Sequence, residues 1–76
     1  MDFELTTQEK INTLIGLKKS MKNEIYNVLL RVGLDPDTFD RNDFSGFPEL
    51  MVGEKERIET LFSGLDMIES KLAELQ

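Results

Sequence analysis

The side chains able to attack a substrate, shuttle protons or hold a metal form a restricted set in this sequence. Cys and His are both absent from its 76 residues. A Ser or Thr nucleophile then has only Lys or a carboxylate to activate it, and no such constellation stands at a recognisable spacing. There is no Gly-rich phosphate loop. A carboxylate pair works as acid and base only in a cleft, and two or four packed helices of this size offer no evident substrate pocket. The chain is expected not to be an enzyme and to carry no cofactor.

Asp35, Asp37, Asp40, Asn42 and Asp43 are the best metal candidates, because hard cations take several oxygen ligands. Counted from Asp35, a calcium loop fails. Its fifth position is Phe39, its sixth is Asp40 where glycine is needed, and its twelfth is Gly46 where a bidentate Glu belongs. Short polar residues of this kind cap helices and build turns, so no metal site is expected.

Lys18, Lys19 and Lys22 make the one basic cluster, with Lys10 two turns earlier. A row of this kind suits phosphates. The chain as a whole carries −6, and Glu54, Glu56, Glu59, Asp66, Glu69 and Glu74 share the same small body. No aromatic residues interleave with the lysines to stack bases, so nucleic acid is not the expected partner.

Phe44-Ser45-Gly46-Phe47-Pro48 sets two aromatics around a flexible turn, a form suited to an anchor that enters a partner's pocket. The plainer reading is that Phe44 and Phe47 cap a core. Tyr26 and Leu30 join them as candidate partner-binding residues, since Ile25 to Val32 is apolar on nearly every side.

The elements that would position these residues follow from periodicity. Ile11, Leu14, Met21, Ile25, Val28 and Val32 recur at alternating three- and four-residue steps broken only by Lys18. Ile58, Leu61, Leu65, Ile68, Leu72 and Leu75 repeat the pattern without a break. Thr6-Thr7-Gln8-Glu9 fits a capping box, and Gly33 with Leu34 fits a Schellman stop. Helix 1 is therefore placed at about 7–32. Helix 2 is placed at about 51–75, with its start between 48 and 54, since Pro48 suits a first turn and Gly53 a later start.

Charge divides the same way. Residues 7–33 carry five Lys/Arg against Glu9 and Glu24, whereas residues 49–76 carry seven acids against three bases. A basic arm beside an acidic arm favours antiparallel pairing. In the matching register Ile11 meets Leu75, Leu14 meets Leu72, Met21 meets Leu65 and Val28 meets Ile58. Lys18 falls opposite Ile68 and is expected to turn outward toward Asp66 or Glu69, as a polar marker of register.

This leaves a connector over residues 33–50, too long to lack structure in so small a domain. Asp35-Pro36 predicts one short helical turn through Phe39. Phe39, Phe44, Phe47 and Leu50 supply apolar mass to fold back over helix 1. Gly16 and Gly64 sit inside the helices at a cost of about 1 kcal/mol each relative to Ala, which close packing or a mild kink would explain.

The fold class is therefore all-α: one domain over residues 1–76, an antiparallel two-helix hairpin with a structured, Phe-containing connector. A chain this short buries only about 60% of its unfolded surface, and with bridges and common zinc sites excluded, association is the expected aid. Ile15, Leu17, Leu29 and Phe62 lie beside the seam and are the candidates for self-association into a homodimeric four-helix bundle. In outline this resembles the Rop-type dimer of helical hairpins, a likeness of architecture confined to the helices.

The expected role is a non-enzymatic protein–protein interaction module, a small helical adaptor or regulator. Its expected partners are a second copy and an unidentified protein. The alternative is a small acidic inhibitor of the phage type that blocks a host nucleic-acid-handling or defence enzyme through Glu56, Glu59 and Glu69 on helix 2. No apolar run approaches a membrane span, and a cytoplasmic setting is the expectation.

Overall fold

Thr6 starts the first helix by a reciprocal exchange of hydrogen bonds. The Glu9 amide donates to Thr6 Oγ1 at 3.1 Å and the Thr6 amide donates to Glu9 Oε1 at 2.9 Å. The capping box read from the sequence is thus present, and helix α1 runs Thr7–Arg31. Its end is equally local in origin. Gly33 takes φ +85, the Leu34 amide donates to the Leu29 carbonyl at 2.9 Å, and the Gly33 amide donates to the Leu30 carbonyl at 3.2 Å. These two bonds are the Schellman pair, which satisfies carbonyls that a helix end leaves open.

The computed structural model describes residues 3–49 and 51–76. It holds a second helix, α2, at Val52–Leu75, and no strand among the described residues. Helix α2 has no side-chain cap at Met51. Its start within the 48–54 window is set by the Pro48 carbonyl, which accepts from the Met51 amide in a turn just before the helix.

The two helices pack side by side. Lys18 reaches Glu69 at 3.7 Å and Arg31 reaches Glu54 at 3.3 Å, so rising numbers in α1 meet falling numbers in α2 and the pairing is antiparallel. Lys18 leaves the seam as the register requires, toward Glu69, while Asp66 has another partner. Arg57 of α2 pairs with Glu24 of α1 on the same edge as Arg31 and Glu54.

Burial is concentrated toward the connector. Val28 and Ile58 are fully buried, and Ile25, Leu29, Val32, Phe47 and Leu65 complete a cluster flanked by Leu34, Phe39, Phe44, Leu61 and Phe62. Toward the free end, among the described residues, only Ile68 and Leu72 are buried, with Ile11, Leu14 and Leu75 half-buried. The body measures 46 × 26 × 17 Å with a radius of gyration of 15.0 Å. A compact chain of this length would have about 11 Å. One layer of two long helices cannot enclose its own flanks.

The connector differs from the expected helical turn. It is a run of tight turns, closed by the amides of Thr38, Asp43, Phe47 and Met51 donating to the carbonyls of Asp35, Asp40, Phe44 and Pro48. Asp35, Asp40 and Asp43 each accept the amide two residues ahead, from Asp37, Asn42 and Ser45, at 2.9–3.0 Å. A side chain that takes an amide in this way favours a turn over a helix. Asp followed by Pro opens a type I turn as readily as a helix, which is why the Asp35-Pro36 signal leads to one turn and no further. Leu50, assigned to the apolar mass of the connector, lies outside the described residues.

Candidate binding surface

Four phenylalanines bind the connector to the helices. Phe39 meets Phe44 edge-on at 5.4 Å and stacks with Phe62 of α2 at 6.4 Å, and Phe44 meets Phe47 at 5.8 Å. Such offset and edge-on pairs add stabilisation beyond their buried area. Phe47 is 8% exposed and belongs to the core, and Phe44 is half-buried with Lys55 Nζ 5.5 Å from its ring. Both are therefore engaged within the chain, as core caps are.

Arg41 closes this cluster from outside. Its guanidinium donates twice to Asp66, at 2.9 and 2.8 Å, and lies 4.5 Å from the centre of the Phe62 ring. Hydrogen bonding to Arg41 holds the Asp66 carboxyl below its ordinary range, and the same bonds raise Arg41. Arg41 has no role in the sequence reading. The signal was its position as the one basic residue in an otherwise acidic connector.

Tyr26 and Leu30 are exposed, at 46% and 54%. Tyr26 forms one wall of a groove of about 280 Å³ with Lys22, Pro36 and Phe39, whose floor is Ile25, Leu29, Phe62 and Leu65. The volume lies just below the range of small-molecule pockets and is suited to a single bulky side chain. A shallower depression continues along α1 past Ile15, Lys18, Lys19 and Lys22.

The four self-association candidates do not share one surface. Leu29 is buried in the intramolecular core, and Phe62 is half-buried beneath Arg41. Ile15 and Leu17 are both about half exposed, but two positions apart on a helix they point to opposite edges. Ile15 shares the edge of Lys22 and Tyr26. Leu17 lies seven residues before Glu24 and so shares the edge of the Glu24–Arg57 pair.

The acidic residues divide likewise. Glu56 and Glu59 are exposed on α2, whereas Glu69 is turned toward Lys18. No polar or charged side chain is buried among the described residues. No helix of the described residues is long and apolar enough to cross a membrane.

Together these features define an all-helical hairpin with a turn-built connector and an apolar groove along one edge. No protein-family model, curated protein or solved structure matches the chain, so no match carries the likeness to Rop-type hairpins.

Proposed function

We propose that the chain is a protein-binding module that associates with itself and works without catalysis. One observation carries this reading: Tyr26 is exposed at the wall of a groove whose floor is the core side chains Ile25, Leu29 and Leu65, so apolar surface passes from core to solvent there, and Ile15 is exposed farther along the same edge beyond Lys19 and Lys22. Exposed apolar surface continuous with a groove marks an interaction site. The accessible surface of 5735 Å² also exceeds the roughly 4800 Å² of a compact monomer of 8.8 kDa. A second hairpin across this edge would complete a four-helix bundle.

Multi-angle light scattering over a micromolar concentration series is the test. The expected species is a dimer that Ile15→Glu dissociates with helical circular dichroism retained. A well-folded wild-type monomer throughout the series would remove the bundle.

A second reading is favoured by Glu56 and Glu59, exposed on α2 and without an ion-pair partner among the described residues. They would meet a basic cleft on a target enzyme, as a phage-type inhibitor does. Such binding weakens steeply with salt and with charge reversal at both positions, whereas contact through the apolar edge is nearly indifferent to either.

A further inference from the structure

Phe3 is 90% exposed, more so than Tyr26, Leu30 or Met67. It lies ahead of α1 and is flanked in the sequence by Asp2 and Glu4. The Tyr26 groove has the complementary character, with apolar walls and Lys22 at its border. Lys22 has no carboxylate partner among the described residues. We propose that this groove receives Phe3 from a second copy of the chain, with Glu4 of that copy beside Lys22, and that the exchange is reciprocal. The inference deepens the self-association proposed above and rests on it.

Reach decides between the chain's own groove and a partner's. From Thr6 to Tyr26 the helix rises about 30 Å, while the extended residues from Phe3 to Thr6 span about 10 Å. Phe3 therefore cannot enter the groove of its own chain. Between two copies it can, if their α1 helices run antiparallel edge to edge. The twofold axis then passes about 20 Å from Tyr26 along α1, within one helical turn of Ile15. That side chain is 50% exposed and stands on one helical stripe with Lys19, Lys22 and Tyr26, at spacings of four, seven and eleven residues. Two copies of Ile15 would meet at the axis, as an isologous interface requires. The opposite charges of Glu4 and Lys22 fix the direction of the exchange, since a parallel pairing would set the lysine rows against each other.

Sedimentation equilibrium on the full chain tests this with wild type, Phe3→Ala, Glu4→Lys, Lys22→Glu and the double charge swap. All three positions are exposed, so folding is checked simply by helical circular dichroism. Phe3→Ala is expected to raise the dimer Kd about tenfold or more. Each single charge reversal should raise it less, and the double swap should return it toward wild type. Tyr26 is the one tyrosine and there is no Trp, so tyrosine emission reports the groove directly and should change with concentration in wild type but not in Phe3→Ala. A Phe3→Ala dimer as tight as wild type overturns this docking and leaves self-association standing. A wild type that stays monomeric overturns both. If such a monomer shifts its Tyr26 emission on adding a synthetic acidic Phe-containing peptide, the second copy is overturned in favour of a foreign partner.

Discussion

Arg41 and Asp66 make a two-point pair across 25 residues of sequence, with both guanidinium nitrogens within 3 Å of the carboxylate oxygens. It fastens the middle of the turn-built connector to the exposed side of α2, while the same guanidinium covers Phe62. Planar, bidentate recognition combined with stacking is a property of Arg that Lys does not reproduce. Arg41→Lys is therefore expected to behave like Arg41→Ala. In hydrogen-exchange measurements the Asp43 and Phe47 amides should lose protection in both variants, with α1 amides near Val28 little changed. Retained protection in Arg41→Lys would show that charge alone suffices.

Core and surface apolar residues should separate cleanly in denaturant. Ile58 is fully buried and Phe47 nearly so. Ile58→Ala is expected to cost about 2–5 kcal/mol and Phe47→Ala about 3–5 kcal/mol. A chain of this length has a total stability of only about 4–11 kcal/mol, so both variants should be largely unfolded in moderate urea. Met67→Ala, at 73% exposure, should stay within about 0.5 kcal/mol of wild type.

Glycine substitutions should differ in sign. A Cβ at Gly16 would meet nothing within 4 Å, so Gly16→Ala is expected to stabilise by about 1 kcal/mol through helix propensity. At Gly64 the added carbon would lie 3.0 Å from Met21 Cε, and the gain should shrink or vanish unless Met21 moves aside. Gly33 has space but takes φ +85, a conformation costing an L-residue about 1–2 kcal/mol. Thermal melts of the three variants check the order Gly16→Ala, Gly64→Ala, Gly33→Ala, from most to least stable.

Acid should act through three carboxylates. Glu9 is held low by hydrogen bonds from the Thr6 backbone and side chain, Asp43 by Ser45 and Asp66 by Arg41. Each is depressed in the folded chain, so its contribution is present above the unfolded carboxylate range, near pH 4, and is lost as pH falls through the folded value. Urea midpoints should therefore decline below about pH 4. Glu9→Gln keeps an acceptor for the capping box and removes the charge, so it should flatten part of that decline. An unchanged acid limb would exclude Glu9 from it.

How legible this fold was depended on whether a signal was local. Thr6 with Glu9, and Gly33 with Leu34, fixed the ends of α1 because the bonds they make span three to five residues. The seam was legible too, since Lys18 interrupts it once and turns to Glu69 as the register asks. The connector was not, because Asp35-Pro36 opens helices and turns alike and only the successive Asx bonds choose between them. The candidate surface was legible in part. Tyr26 and Leu30, named as candidates for partner contact, are exposed, whereas Leu29, named for self-association, lies one position from Leu30 and sits in the core. That difference depends on where Phe39 and Phe62 close over α1, which no residue near Leu29 encodes. At Gly16 nothing lies within 4 Å of where a Cβ would stand, so of close packing and a mild kink, the two explanations given for it, the first does not apply there.

The lopsided core has a consequence for the order in which the molecule assembles. Its tightly packed members, from Ile25 to Leu65 by way of the connector, form a single uninterrupted stretch in the middle of the chain. Closing that stretch requires a loop through the connector alone, whereas bringing Ile11 to Leu75 first would require nearly the whole chain. The hairpin should therefore nucleate at its bend and zip outward to its two ends. Conservative truncations such as Val28→Ala would slow refolding, and Leu72→Ala would chiefly hasten unfolding. Stopped-flow chevrons of the two variants would expose the reverse order if the ends join first.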